Sequence, residues 1–269
     1  MSRPDDLVVS QNVWVNAPVD VAEAVLGRVL DREPDIVGLQ EWPAGRNPLL
    51  KATGNFARFP MMRRAVPGPW RPREGMVWGR PLLGPTGPIG LRGDRFELLG
   101  CRARTLTKRR RIRPTPNHPR ERLPANRATV ALVRDHELDQ TVAVIGYHLW
   151  AGVQVDGHYS ERPRDRARVD GHRDQVAALG KLVAQHLARG QVVYVLGDSN
   201  FDGLDLPGVV SAWDGRENEP RGTHREGRRK IDDVFGPSRA DRVDLIDHPE
   251  PQIDHHGVLA VRRRAPTDP

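Results

Sequence analysis

Cysteine is nearly absent from this 269-residue chain. Cys101 stands alone, which excludes an internal disulfide and leaves a cysteine-built zinc site without donors. Lysine is almost as scarce: only four of the 42 lysines and arginines are lysine, at positions 51, 108, 181 and 230. No stretch approaches the roughly 20 apolar residues of a membrane span. No apolar segment follows the opening Met-Ser-Arg-Pro, so no signal peptide is expected. A chain of this length buries a full core without disulfides or structural metals. These absences lead us to expect a soluble, cytoplasmic globular protein with no membrane partner and no disulfide partner.

Arginine, by contrast, is abundant. The net charge is +7 and the isoelectric point about 10.2. That balance is the electrostatic footprint of a nucleic-acid binder, although GC-rich coding yields the same arginine bias with no partner at all. Nine basic side chains crowd 102–122 (102, 104, 108–111, 113, 120 and 122) against the single acid Glu121. As a bare pattern this is a solvated loop; beside a nucleic-acid site it becomes a phosphate contact, through Arg109, Arg110 and Arg111 above all.

The first forty residues read as one βαβ unit. Leu7 to Trp14 is short and almost continuously apolar, as a buried strand is. Asn16 offers a helix cap, with Pro18 in the first turn. Val21, Val25, Leu26, Val29 and Leu30 then form one apolar face. Pro34 ends the helix, and Ile36 to Gln40 forms a second buried strand closed by Glu41. A right-handed crossover makes the strands parallel and sets Asn12 beside Glu41 on their carboxyl edge, where open α/β sheets bind ligands.

Farther along, 42–95 reads as loop apart from a short strand at Met76 to Trp78. Strands are expected at Ala128 to Val133 and Thr141 to His148, then a helix from Asp170 to Ala188 with a stripe of Val176, Leu179, Leu182, Val183 and Leu187. Gly190 closes that helix. Val192 to Leu196 is the clearest buried strand and runs into Gly197-Asp198-Ser199-Asn200. Short strands follow at 231–235, 242–246 and 257–261, and 262–269 reads as a frayed tail. Val-Asp-Gly-His occurs at 155–158 and 169–172, but the flanks differ, so it marks no repeat. Nothing divides the composition, and one domain spans 1–269.

Polar residues gather where these strands end: Asn12, Glu41, His148, Asp198, Asn200, Asp232, Asp254 and His255. Oxygen donors of this kind suit hard cations such as Mg²⁺ or Mn²⁺. Carboxylates, a hard cation and two histidines are the parts needed to hydrolyse a phosphoester. In order along the chain, Asn12, Pro34-Asp35-Ile36-Val37-Gly38-Leu39-Gln40-Glu41, Gly146-Tyr147-His148-Leu149, Gly197-Asp198-Ser199-Asn200, Lys230-Ile231-Asp232-Asp233-Val234-Phe235 and Asp254-His255 match six motifs. With them the chain resembles the endonuclease/exonuclease/phosphatase superfamily, of deoxyribonuclease-I-like fold. It departs from that pattern at Ile253, where serine is usual, and at Gly257, where proline is frequent.

The resemblance implies an α/β sandwich of four layers, two mixed sheets face to face with helices outside, and hydrolysis of phosphodiesters, in DNA before RNA. It implies that Glu41 ligates the Mg²⁺ or Mn²⁺ ion, helped by Asn12 and Asp254. Asp198 would orient or deprotonate water, Asn200 hold the phosphate, and His148 donate to a phosphate oxygen. Asp232 would orient His255, the second acid/base group; alternation sends Asp233 to the opposite face. Arg127, just before a strand, faces the same edge and is a candidate phosphate contact. The alternatives are a small-phosphoester hydrolase, acting on a lipid headgroup or inositol phosphate, and a basic nucleic-acid-binding module with an inactive site. Asp254-His255-His256 also spells the signature of another phosphoesterase family, whose motif lies early in the chain beside others missing here. His118, His136, His158, His172, His186, His224 and His248 read as surface residues.

Overall fold

The structure, a computed structural model, describes residues 5–59, 71–82, 87–111, 122–216, 218–225 and 227–263. The chain opens with β1 (Asp5–Asn12), α1 (Val19–Leu30) and β2 (Ile36–Gln40). A 3₁₀ turn, Ala44–Arg46, and α2 (Asn47–Ala52) lead to β3 (Gly54–Phe59), β4 (Met76–Pro81) and β5 (Ile89–Arg92). Then come β6 (Phe96–Thr107), the paired β7 (Arg110–Arg111) and β8 (Arg122–Leu123), β9 (Asn126–Asp135) and β10 (Gln140–His148). A small hairpin, β11 (Gln154–Val155) with β12 (His158–Tyr159), precedes α3 (Arg166–Leu187). The last strands are β13 (Val192–Asp198), β14 (Asp232–Phe235), β15 (Arg242–Ile246) and β16 (Gly257–Arg263).

Two mixed sheets result. One is ordered β15-β16-β1-β2-β5-β4-β3 and the other β14-β13-β10-β9-β6. Alternation along each strand divides the core. Val8 and Ile36 of one sheet face Val144 and Leu196 of the other, while Val9 and Val37 turn outward against Val25, Leu26 and Val29 of α1. Val193 and Val195 turn the other way, against Leu179, Leu182 and Val183 of α3. The architecture is therefore the expected four-layer sandwich of helix, sheet, sheet and helix. A Cβ on Gly38 would lie 2.9 Å from Leu196 Cβ, so this glycine lets the sheets approach close to the end of β2.

Several expectations change. Pro18, not Asn16, occupies the cap position of α1, with no side-chain cap. The segment 42–95 contains α2, β3 and β5 as well as β4. Arg102 and Arg104 belong to β6, so the basic segment begins inside a strand; Arg113, Arg120, Glu121 and His118 lie outside the described residues. β16 continues through Arg263, and Arg262 is buried, donating to the Ser238, Val210 and Val234 carbonyls; 264–269 lie outside the described residues. His172, His186 and His248 are buried as well. Burial draws the pKa of His248 down to about 4, and its Nε2 bonds Gln11 Oε1 at 2.7 Å. Cys101 is a free, buried thiol. No helix among the described residues is long and apolar enough to cross a membrane.

One end of the sandwich is closed by charge. Arg95, 1% exposed, grips Asp135 with Nε and Nη2 at 3.0 and 2.5 Å and Asp6 with Nη1 at 2.8 Å. Asp35 lies 3.6 Å from Arg95 and 2.8 Å from Arg92, and Tyr194 Oη donates to Asp6 at 2.6 Å. Asp6 and Asp135 sit on different sheets, so the guanidinium clamps one to the other. Breaking a buried ion pair from one side strands the remaining charge, at about 3–5 kcal/mol. Arg95→Met should therefore lower the unfolding free energy by roughly that amount in urea titrations. A loss below about 1 kcal/mol, the scale of a surface pair, would show that the clamp contributes little.

Candidate active site

The opposite end of the sandwich collects the polar residues. β1 and β2 run parallel with Asn12 opposite Gln40, and β10 and β13 run parallel with His148 opposite Asp198. Both pairs thus end at one edge, each bringing a donor and an acid. Asp198, 1% exposed, is the centre. Its Oδ2 accepts from Asn12 Nδ2 at 3.0 Å and faces Nε2 of His148 at 3.5 Å and of His255 at 3.8 Å. Its Oδ1 accepts from the Asn200 N–H at 2.7 Å.

Asn12 also donates to Glu41 Oε1 at 3.3 Å, and its own Oδ1 accepts the Trp14 N–H. In this arrangement Asn12 is a brace between two carboxylates, presenting nitrogen to them. Glu41 Oε2 accepts from Val15 N–H at 2.8 Å. The loop carrying Trp14 and Val15 is held by Arg46, whose guanidinium donates to the Trp14, Val15 and Ala17 carbonyls. Glu41 and Asn200 both adopt left-handed backbone, with φ of 53° and 52°, a conformation non-glycine residues seldom keep outside special sites.

Asp232, fully buried, accepts from His255 Nδ1 at 2.7 Å. Asp233 turns away and accepts from Ser211 and from the Ala212 and Val234 N–H groups. Burial weakens the hold of His255 on a proton, but Asp232, then Asp198 and Asp254, outweigh it and push the pKa up to about 10. Asp254 lies 3.9 Å from His255 Nε2 and 3.6 Å from His224 Nε2. The His224 contact and the nearby imidazoles hold its carboxyl below the ordinary range despite partial burial.

Three residues at the edge carry no motif. His172 of α3, fully buried, donates from Nε2 to the Ser199 carbonyl at 2.8 Å, and Tyr159 Oη donates to its Nδ1 at 3.0 Å. Gln175, one turn on, accepts from Trp150 N–H at 3.0 Å. These contacts fasten the loops after β13 and β10, and only their place on the inner side of a helix marks them. His224 is the third. It approaches His255 edge-on, the ring centroids 5.3 Å apart.

A cavity of about 600 Å³ opens beside the cluster, lined by Glu41, Trp42, Arg80, Arg127 and His148 among others. A larger one, about 910 Å³, lies on the Asp233 side of β14, and none of the clustered residues lines it. Of the expected phosphate contacts, Arg127 thus borders the site. Arg110 is paired to Asp174 of α3 at 2.5 Å, while Arg109 and Arg111 are exposed. Thr107, which precedes them, pairs with Asn126, and Asn126 Nδ2 donates to the His148 carbonyl at 2.6 Å. The basic hairpin therefore emerges at the active edge.

The donors fit a hard divalent cation. Glu41 and Asp198 are acids braced side by side by one amide, and Asp232 Oδ1 is buried with no hydrogen-bond partner among the described residues. Glu41 reaches the group through Asn12 and through His148, 3.7 Å away, whereas Asp254 joins it through the histidines.

No protein-family model matches the sequence, and no curated protein matches it. Solved structures do. A Danio rerio TDP2 crystallised with a single-strand DNA product is 17% identical, with TM-score 0.61, covering 96% of this chain and 99% of that one. The human Nocturnin catalytic domain with bound sulfate is 18% identical, with TM-score 0.58 over 96% and 93%. An endonuclease/exonuclease/phosphatase family protein from Bacteroides thetaiotaomicron is 14% identical, with TM-score 0.60 over 96% and 97%. The chain shares the fold of these proteins, a deoxyribonuclease-I-like sandwich of two mixed sheets.

In metal-free protein, His255 should titrate near pH 10 by NMR. Asp232→Asn should lower that value by about 1–3 pH units, the effect of one close carboxylate. Because folding raises this pKa above the ordinary 6.5, the stability it adds is complete below pH 6.5 and lost as pH rises through about 10. Unfolding free energies should decline across that window in the parent protein and less in Asp232→Asn.

Proposed function

We propose that this protein is a divalent-cation-dependent phosphodiesterase that hydrolyses DNA by in-line attack of water. The observation that carries the reading is the buried Asp198 carboxylate flanked by two imidazoles, with Asp232 fixed behind one of them. One acid between two potential proton donors is the geometry for activating water on one side of a phosphate and protonating the leaving oxygen on the other.

The roles follow from the contacts. Asp198 orients water and takes its proton. His255, kept protonated by Asp232, gives its proton to the leaving oxygen. His148, half-exposed beside the cavity, donates to a non-bridging oxygen as charge builds there. Asn200 anchors its amide on the Leu149 carbonyl at 3.1 Å and offers its remaining donor to the phosphate. Glu41, steadied by Asn12, would hold Mg²⁺ or Mn²⁺, with Asp254 contributing across His255. That ion would offset phosphate charge and polarise the scissile bond.

DNA is favoured by the arginines. Arg127 and Arg80 border the cavity, and Lys108, Arg109 and Arg111 are exposed on the segment that follows β6. The DNA product on a protein of the same fold and the sulfate on another support an anionic, phosphate-like occupant.

Hydrolysis of plasmid or single-stranded DNA should stop in excess EDTA and resume with Mg²⁺ or Mn²⁺. Glu41→Gln, Asp198→Asn and His255→Ala should each cost at least about 10²-fold in kcat. Tight DNA binding with no turnover in Mg²⁺ would instead make this a nucleic-acid-binding module.

Arg109→Ser/Arg111→Ser should weaken DNA binding and flatten log affinity against log salt, by about 0.9 for each duplex phosphate no longer neutralised. Turnover of a small chromogenic diester should stay near that of the parent. Unchanged DNA binding would point to a lipid-headgroup or inositol-phosphate substrate within the 600 Å³ cavity. Equal losses on both substrates would give these arginines a structural role.

A further inference from the structure

His224 has no part in the chemistry above, yet it is built into the cluster. Segments 223–225 and 254–256 pair as a short antiparallel bridge, through His256 N–H to the Thr223 carbonyl and Arg225 N–H to the Asp254 carbonyl, both at 2.7 Å. Thr223 Oγ1 in turn accepts the N–H groups of Ile231 and Asp232 at 3.1 and 3.0 Å. The strap that presents His224 is therefore tied to the strand that presents Asp232, and the bridge sets His224 opposite His255.

One nitrogen of His224, one of His255 and one carboxylate oxygen of Asp254 lie within 4.8 Å of one another. His224 Nε2 lies 3.6 Å from Asp254 Oδ2, and His255 Nε2 lies 3.9 Å from Asp254 Oδ1. Donors held tetrahedrally about 2.1 Å from an ion stand roughly 3.4 Å apart, so modest side-chain rotation closes this set. Two imidazoles and one carboxylate suit a borderline cation of the zinc type better than magnesium. His255 is also oriented as metal-bound histidines are: Nδ1 is held by a carboxylate, and Nε2 lies on the side of Asp254, 3.9 Å away, and of Asp198, 3.8 Å away. The Asp254 side chain is 49% exposed, which leaves a position for water or substrate.

We propose that His224, Asp254 and His255 form a second cation site, selective for Zn²⁺ or Co²⁺ over Mg²⁺. Its occupation displaces the proton from His255 Nε2 to solvent and leaves that nitrogen bound to the ion. On the phosphodiesterase reading of the preceding section, filling the site silences hydrolysis, because the proton donor to the leaving oxygen is gone. The site itself does not depend on that reading.

Binding is measured directly, by Zn²⁺ calorimetry in millimolar Mg²⁺ and by the visible absorption of bound Co²⁺, with no substrate present. The full chain should bind one Zn²⁺ and show the intense Co²⁺ bands of a low-coordinate site with nitrogen donors. His224→Phe keeps an edge-on ring against His255 but removes a ligand, and should weaken Zn²⁺ at least about 100-fold. Asp232→Asn, acting from behind His255, should weaken it by about 10–100-fold, as loss of an outer-shell partner does. His224→Phe should also retain parent turnover in Mg²⁺ while escaping Zn²⁺ inhibition. Equal Zn²⁺ affinity in the parent and His224→Phe would overturn the site. So would Zn²⁺ binding abolished by Glu41→Gln but untouched by His224→Phe, since Zn²⁺ would then merely occupy the magnesium position. If the chain hydrolyses no phosphoester, calorimetry and absorption still decide.

Discussion

The Arg95 guanidinium, sealed between the two sheets, is the interaction on which the remaining geometry depends. Residues that must meet at the active edge come from different sheets: Asn12 and Glu41 from one, His148 and Asp198 from the other. Apolar faces alone tolerate sliding, because side chains of similar size repack with little penalty. A charge without water tolerates none. Arg95 must keep Asp6 on one sheet and Asp135 on the other within hydrogen-bond reach, and Tyr194 adds a third tie through Asp6. With that end fixed, strands of set length deliver their carboxyl ends to one place.

Glu41, His148 and Asp198 were legible because each closes or follows a strand rich in buried apolar residues, whereas Asp232 begins β14 and Asp254 and His255 precede β16. Apolar runs leave no doubt about the strand or where it stops. Alternation likewise assigned Asp232 to the site and Asp233 to the far side, as the contacts show. Less could be read where a strand is brief or built on small residues. β5 contains Gly90, whose missing side chain makes room for the Trp78 ring; a Cβ there would lie 2.5 Å from it. The complement resides in Trp78, in another strand, and no local pattern records it. β3 pairs along one edge only and has little need of an apolar code.

Histidines were misread for a related reason. Composition places them at the surface, whereas His172 and His248 lie inside because a single acceptor awaits each, the Ser199 carbonyl and Gln11. A buried polar ring is tolerated when it is hydrogen-bonded, and its partner can be anywhere in sequence. The same holds for Arg262, which pairs with Asp6 of β1 and sends its guanidinium to the Ser238 carbonyl in a loop and the Val234 carbonyl in β14. The left-handed backbone at Glu41 and Asn200 is a further local cost, kept just beyond the ends of β2 and β13.

The pairing of β1 with β16 bears on how the protein comes into being. β1 sits in the interior of its sheet, flanked by β2 and β16, so synthesis leaves one of its edges open until 257–263 emerge from the ribosome. Asp254 and His255 arrive just before that strand. A chain that stops short of those residues therefore lacks both the second sheet partner of β1 and two members of the polar cluster. Closure of the sheet and completion of the polar cluster thus coincide in synthesis, because both wait for the same short stretch of chain.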